Sequence, residues 1–186
     1  MTEPAYFDDL YAHADDPWGL ASSQYEARKY ALTVAALPRR RYRRVFEPGC
    51  AIGVLTSLLA ARCDELLAWD VAPRALEQAS RRVRAPHVCF ALQRVPGDWP
   101  QGSFDMIVVS ELLYFLSAPD RAGVRDRALA SLEPGGHLVA VHWRHAFAEA
   151  VIDGDQAHDE LAAASDLRRV VHHVESDFRL DVWRRR

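Results

Sequence analysis

The sequence has almost no lysine and carries no excess of positive charge. This balance argues against polyanionic partners. Lys29 is the only lysine among 23 basic residues, and the formal net charge is −3. A chain with this balance has no general attraction for nucleic acid or for an anionic membrane. The basic run at 38–44 is typical of a solvated face, because aromatic residues that could stack on bases are sparse around it. We therefore expect no nucleic-acid partner.

Cysteine is also scarce, and its placement argues against a thiol-based site. Cys50, Cys63 and Cys89 lie in apolar surroundings without CxxC spacing. An odd number of scattered cysteines fits a reducing compartment, and we expect a cytoplasmic location. His142-x-x-His145 does not have the spacing of a helical ligand pair, and no acidic or cysteine cluster completes a site. We expect no metal.

Long apolar runs are missing as well. No run approaches the roughly 18 residues that a membrane-spanning helix needs. The first residues, MTEPAYFDDLY, are acidic and lack the apolar core of a signal peptide. We expect neither a membrane segment nor a cleaved leader.

What the sequence does contain is a regular alternation of strand and helix patterns. This alternation favours right-handed crossovers between parallel strands. It predicts an α/β fold, a Rossmann-like doubly wound sheet of seven mostly parallel strands with a C-terminal antiparallel hairpin, in a single domain. The predicted strands are 43–48, 66–70, 87–92, 104–110, 137–143 and the two segments RRVVHHV and DFRLDVWR; the predicted helices follow Ser23, Gly53 and Pro73 or cover 120–132 and 155–164.

The first predicted strand runs into the segment Glu47-Pro-Gly-Cys-Ala-Ile-Gly53. Glycines let the backbone approach a ligand, and the next helix offers free N–H groups, although a plain turn fits the same pattern. Asp70 ends the second predicted strand, where a carboxylate can accept both ribose hydroxyls or else cap the helix at Pro73. Glu47 would repel a pyrophosphate, so the loop suits a positively charged ligand better than a dinucleotide.

Several segments resemble the motifs of class I S-adenosylmethionine-dependent methyltransferases and follow one another in the same order as those motifs. The closer likeness is to the nodulation-protein S (NodS) family of N-methyltransferases, and it runs from about Tyr6 to the C-terminal end. It implies an N-terminal lid and helix segment over 1–38, packed on a methyltransferase core over 39–186. The segments that carry the resemblance are Val45–Gly53, Asp70, Gly102–Val108, Ser110–Leu116 and Leu132–Leu138.

The resemblance implies S-adenosylmethionine as cofactor and S-adenosylhomocysteine as product. Gly49, Cys50 and Gly53 would hold the methionine part, with Glu47 near its ammonium. The remaining implied cofactor residues are Asp70 for the ribose, Val71 and Trp99 beside the adenine, Asp98 for the adenine amino group, Ser110 after the fourth strand, Trp18 as a cover and Arg28 for the methionine carboxylate.

Three of these assignments have plain alternatives. The segment Gly97-Asp98-Trp99-Pro100 also fits a surface turn. Trp18 also fits a hydrophobic plug between helix and sheet, and Arg28 a solvated helix face.

The ends of the fourth and fifth strands are expected to approach the acceptor. Glu111 and His142 are the candidate catalytic bases, since a carboxylate or an imidazole can take the proton of an amine. The pKa of histidine suits this role, although His142 also fits a strand-end histidine bonded to backbone. Asp155 is predicted to cap a helix or to line the acceptor pocket. The residues expected on the substrate side are Tyr114, Trp143 and Arg144.

These observations favour a methyltransferase that acts on a small molecule. The resemblance alone implies the acceptor type, an amine such as that of an amino sugar. A small-molecule O-methyltransferase stays open, because Glu111 or His142 could serve a hydroxyl acceptor. A non-catalytic S-adenosylmethionine-binding module that acts with a partner also stays open. The sequence leaves the oligomeric state undecided.

Overall fold

The computed structural model describes residues 4–186. They group into two compact units, and the boundary between the units along the chain lies between Arg94 and Val95. The first contains the helices α1 (Pro4–His13), α2 (Gln24–Ala35), α3 (Val54–Ala60) and α4 (Pro73–Arg82) and the strands β1 (Tyr42–Pro48), β2 (Cys63–Asp70) and β3 (Val88–Leu92). The second contains β4 (Phe104–Ser110), a 3-10 helix (Leu113–Phe115), α5 (Ala118–Ser131), β5 (Leu132–Trp143), α6 (Gly154–Ala162), β6 (Leu167–Val174) and β7 (Phe178–Arg185).

All seven strands belong to one sheet. Within the first unit the strand order is β3-β2-β1, and both pairings are parallel. Within the second it is β4-β5-β7-β6, with β4 and β5 parallel and the last two pairings antiparallel. The predicted seven-stranded, mostly parallel sheet with a C-terminal antiparallel hairpin is confirmed.

The central strands are apolar on both faces, as parallel strands covered by helices should be. Every residue of β4 from Phe104 to Val109 is buried, and so are Leu138 to Val141 of β5. The Pro134-Gly-Gly turn lies inside β5, at a register shift where Phe104 faces Leu132 and Met106 faces His137. None of the helices in residues 4–186 is long and apolar enough to cross a membrane.

Two sequence signals at helix starts have different outcomes. Ser23, after which the sequence predicts a helix, caps α2 and accepts from the Glu26 N–H at 3.5 Å. The prediction that Asp155 caps the sixth helix is wrong, because Asp153 is the N-cap of α6 and accepts from the Gln156 N–H at 2.7 Å. Asp155 lies in the first turn, where its side chain is directed elsewhere.

Gly53 opens α3 in a conformation that few other residues tolerate. Its φ is +78°, and a Cβ at this position would lie 2.9 Å from the Ala79 Cβ of α4. The glycine therefore allows α3 and α4 to approach each other at the end of the β1 loop.

We expect Gly53→Ala to lower the free energy of unfolding by about 2–3 kcal/mol, since a left-handed alanine and the contact with Ala79 both cost stability. Urea unfolding measures the change. Leu58→Ala is the control, because Leu58 lies on the exposed side of the same helix. Equal losses in the two variants would contradict the packing constraint.

Candidate active site

The loop after β1 is held against the end of β2 by its own backbone. The N–H groups of Gly49 and Cys50 donate to the Trp69 carbonyl at 2.7 and 3.0 Å. Gly49 has a φ of +75°, and Ala51 has a φ of +48°, which is unusual for a residue with a side chain. The loop is therefore a tight, strained turn whose N–H groups point towards β2.

Asp70, at the carboxyl end of β2, stabilises this turn. Its Oδ2 accepts from the Ala51 N–H at 2.8 Å, and its Oδ1 accepts from the Ala72 N–H at 2.9 Å. The N-cap of α4 is Ala72, without a side-chain cap, so Asp70 is not the capping residue. Burial raises the pKa of Asp70, and the backbone N–H groups oppose that rise. Each oxygen accepts one backbone bond and can accept more.

Glu47 lies inside β1 and is 2% exposed. The Thr56 hydroxyl of α3 donates to its Oε2 at 2.7 Å. Burial raises the pKa of Glu47 to about 8, even though the Thr56 bond lowers it. The carboxyl therefore keeps its proton at neutral pH unless a positive charge comes close. Sequence reasoning missed Thr56, for which the only signal is a hydroxyl on the otherwise apolar inner face of α3.

The N-terminal segment places Trp18 and Arg28 differently. Trp18 is 41% exposed and packs edge-on against Tyr11, with ring centroids 5.6 Å apart. The Asp16 carboxylate orders the turn that carries Trp18, accepting from the N–H groups of Leu20 and Ala21. Arg28 lies on the exposed side of α2, whereas its neighbour Lys29 is buried and bonds to Glu26 at 2.9 Å.

Glu111 follows β4 and connects three segments of the second unit. Its φ is +52°, and its own N–H donates to the Val141 carbonyl. Its Oε2 accepts from the Tyr114 hydroxyl and from the Trp143 N–H, the latter at 2.9 Å. The half-buried carboxylate thus ties the β4 loop to the end of β5. Backbone strain of this kind is concentrated at functional sites.

His142 does not have the surroundings of a general base. Its side chain is fully buried, and its Nε2 faces the Leu113 N–H at 3.2 Å. A backbone N–H can only donate, so Nε2 is the acceptor and the ring proton lies on Nδ1. Nδ1 in turn bonds to His158 Nε2 at 3.1 Å. Nε2 thus holds the loop after β4 and Nδ1 bonds to α6, so both nitrogens are engaged and we keep Glu111 alone as the candidate base.

The chain of hydrogen bonds continues from His158 to Asp181. His158 Nδ1 lies 2.7 Å from Asp181 Oδ2, and both side chains are fully buried. Arg179 donates to the same oxygen at 2.7 Å, and His172 bonds to Oδ1 at 2.6 Å. Burial alone would raise the pKa of Asp181, but these partners hold it well below its usual range. This network is a structural support beneath the end of β5.

Arg144 is engaged with Asp155. Its Nε and Nη2 donate to the Asp155 carboxylate at 3.0 and 2.8 Å, and its Nη1 donates to the Glu175 carbonyl at 2.6 Å. The hydrogen bonds from Arg144 hold the pKa of Asp155 below its usual value. The Arg144–Asp155 ion pair connects the end of β5 to α6. A methyl-acceptor molecule at this position would therefore meet two side chains whose charges neutralise each other.

Trp99 lies near the amino end of β4. Its Nε1 donates to Ser131 Oγ at 3.0 Å, at the last residue of α5. The next residue, Leu132, pairs with Phe104 at the beginning of β4, whereas Ser110 ends that strand. Six residues of strand separate these ends by roughly 20 Å. We therefore do not carry Trp99 into the candidate cofactor site, and Asp98 is its exposed neighbour.

Gln93 is a residue near Asp70 that sequence reasoning missed. Leu92, at the end of β3, pairs with Asp70, and the next residue, Gln93, donates its N–H to the Asp70 carbonyl at 3.0 Å. The position directly after the third strand was the signal for it. Within residues 4–186, no group of three or more histidine, cysteine, aspartate or glutamate side chains could hold a metal ion.

Comparison with known structures first defines the class. The chain superimposes on the N-methyltransferase NodS of Bradyrhizobium japonicum, solved with S-adenosylhomocysteine, with a TM-score of 0.87, 28% identity and 99% coverage of each chain. It is 46% identical to a protein of solved structure from Pseudomonas syringae, with a TM-score of 0.78, covering 88% of this chain and all of that one. The fold is therefore that of the S-adenosylmethionine-dependent methyltransferases.

The family follows from the sequence match. Residues 8–177 match the model of nodulation protein S, and the chain belongs to this NodS family. It is 37% identical over 131 residues to nodulation protein S of Rhizobium tropici, across 68% of this chain and 54% of that protein. The chain thus spans about half the length of this curated relative.

The buried Glu47 predicts a pH dependence of stability. Between its ordinary pKa of 4.5 and the folded value of about 8, the unfolded carboxyl loses its proton while the folded one keeps it. The stabilisation is complete below pH 4.5 and is lost as the pH rises through 8. We expect the unfolding free energy to fall by an amount on the order of 2–4 kcal/mol across this range.

Urea unfolding of the wild type and of Glu47→Gln at several pH values measures this effect. The neutral glutamine can still accept from Thr56. The variant should therefore lose less stability than the wild type between about pH 5 and about pH 8.5, a range that covers most of the titration of Glu47. Parallel curves for the two proteins would show that Glu47 titrates normally in the folded chain.

Proposed function

We propose that the protein is an S-adenosylmethionine-dependent methyltransferase that acts on a small molecule, with an amine as the acceptor. The observation that carries the proposal is the placement of Asp70, a carboxylate that holds the glycine turn while keeping the capacity to accept further hydrogen bonds. Such a group at the end of the second strand suits a ribose. Membership of the NodS family supports the same cofactor.

The charge of the first unit supports a cationic cofactor over a dinucleotide. Burial raises the pKa of the Cys50 thiol in the loop after β1, and the carboxyl groups of Asp70 and Glu47 beside that loop raise it further. A pyrophosphate brought to this loop would meet two carboxyl groups. S-adenosylmethionine instead carries an ammonium and a sulfonium, and an ammonium near Glu47 would favour the ionised carboxylate. Gly49, Cys50, Gly53, Val71 and Ser110 remain the proposed backbone and packing contacts, with Gln93 as a candidate for the adenine.

The second unit supplies the residues proposed for the acceptor. In the transfer, the nitrogen lone pair forms a bond to the methyl carbon as the carbon–sulfur bond breaks, which leaves S-adenosylhomocysteine. Positioning supplies much of the acceleration in such a displacement. The amine must be neutral to react, and we propose that Glu111 takes its proton, directly or through water. Tyr114 and Trp143, which both donate to Glu111, would orient that carboxylate.

The finer parts of the proposal rest on the family. The Bradyrhizobium japonicum relative is an N-methyltransferase, and we propose nitrogen, on an amino sugar, as the methylated atom here. We also propose that 1–38 forms a lid, with Trp18 as a cover and Arg28 reaching the methionine carboxylate. Cys50, Cys63 and Cys89 form no disulfide within residues 4–186, and we propose a cytoplasmic location for such reduced cysteines.

We expect Asp70→Ala to weaken binding of S-adenosylhomocysteine, because two ribose hydrogen bonds are lost. At about 1–2 kcal/mol for each bond, the dissociation constant should rise at least 30-fold, or about 2 kcal/mol. Isothermal titration gives the constant. Asp64→Ala removes an exposed carboxylate that pairs with Arg41, and it should bind as the wild type does. An unchanged affinity in Asp70→Ala would show that the ribose lies elsewhere.

We expect Glu111→Gln to lower turnover by about 10²–10⁴-fold with little change in cofactor affinity, since the amide still accepts from Tyr114 but takes no proton. Labelled S-adenosylmethionine with a panel of amines, amino sugars and phenols measures the transfer. Glu133→Gln, at the amino end of β5, is the matched control.

The panel also separates the rival functions. Methylation of phenols but not of amines would replace the N-methyl assignment by O-methylation. Cofactor binding without transfer to any acceptor would favour a binding module that acts with a partner.

A further inference from the structure

Two polar atoms on one side of α1 are buried without a hydrogen-bond partner within residues 4–186. Tyr11 is 4% exposed, and its hydroxyl has no hydrogen-bond partner among the residues that the structure describes. Asp8 lies three residues earlier and so on the same face of the helix. Its Oδ1 is also buried and has no hydrogen-bond partner within residues 4–186. Buried polar groups are normally paired, so each unpaired one needs an explanation.

The surroundings of Tyr11 are the two loops already described. Its ring packs in a cluster with Ile52 of the glycine turn and with Ala72 and Ala75 at the start of α4. Ala72 is also the residue whose N–H bonds to Asp70. Burial raises the pKa of Tyr11, and the nearby carboxylate of Asp70 raises it further. The hydroxyl therefore stays protonated and lies in the neighbourhood of Asp70.

We propose that Tyr11 belongs to the cofactor site and that its hydroxyl donates to a ribose oxygen of the nucleoside that Asp70 binds. The inference rests on the proposed function. An ionised carboxylate only accepts, so each ribose hydroxyl must donate its hydrogen bond to Asp70. The oxygen of that hydroxyl can then accept a bond, and the Tyr11 O–H supplies the donor. Asp8 adds a second acceptor on the same face of α1.

A purely structural tyrosine would behave differently. If Tyr11 only fills the cluster around Ile52, phenylalanine keeps the ring and removes an unpaired hydroxyl. Stability would then rise or stay the same, and cofactor affinity would not change. If Tyr11 binds the ribose, the ligand-free variant is again at least as stable, but its affinity for the nucleoside falls. Affinity thus separates the two roles.

The experiment uses Tyr11→Phe in the full chain. Thermal unfolding without ligand is combined with titration of S-adenosylhomocysteine and of 5′-methylthioadenosine, which contains the ribose but lacks the amino-acid part. We expect an unfolding temperature at or above that of the wild type, and dissociation constants raised about 10-fold for both ligands, as for one hydrogen bond. Tyr42→Phe, at the amino end of β1, is the matched control and should bind both ligands normally.

The outcomes are distinct. Unchanged affinity for both ligands would overturn the inference and leave Tyr11 as a packing residue. Weaker binding of S-adenosylhomocysteine alone would overturn the ribose assignment, because the hydroxyl would then address the amino-acid part. Failure of the wild type to bind S-adenosylhomocysteine would remove the proposed function itself, whatever the variant does.

Discussion

The carboxylate of Asp70 is the constraint on which the first unit depends. It holds the Ala51 N–H, and with it a left-handed alanine, while its other oxygen holds the start of α4. Without this acceptor the strained turn would lose the bond that offsets its cost, and Gly53 would lose its register with Ala79. The same oxygens are those proposed for the ribose. Structure and ligand binding therefore share one charged group, which makes the loop shape and the cofactor site inseparable.

The second unit repeats this arrangement with different residues. Glu111 also has a left-handed backbone, and its carboxylate also accepts from groups on two neighbouring segments. Beneath it, His142 accepts from the Leu113 N–H and donates to His158, which in turn donates to the buried Asp181. A strained residue at a strand end thus rests on a fully bonded polar network. The network stabilises the loop, and Glu111 stays partly exposed beside it.

Sequence patterns predicted the sheet because apolar runs and turn residues are local signals. They also placed Asp70 and Glu111 at the carboxyl ends of strands. They could not predict side-chain direction, so His142 was expected to face an acceptor but points into the interior. The position of Trp99 depended on the course of an irregular loop, which carries no periodic pattern, and Asp153 replaced Asp155 as the N-cap by a shift of two residues. Tyr11 carried no local signal, because its burial depends on contacts with distant loops.

The residues of the two units are proposed to affect different quantities, the affinity for the cofactor in the first unit and the rate of methyl transfer in the second. The ribose and the methionine ammonium are the same in S-adenosylmethionine and in its product, so Asp70, Glu47 and Tyr11 would bind both equally. Interactions that do not change between ground state and transition state increase affinity without accelerating the chemical step. Acceleration must then come from groups near the reacting nitrogen and carbon. Among the residues discussed, Glu111 has a partly exposed carboxylate held in a fixed orientation, so differences in acceptor chemistry within the family should arise around it.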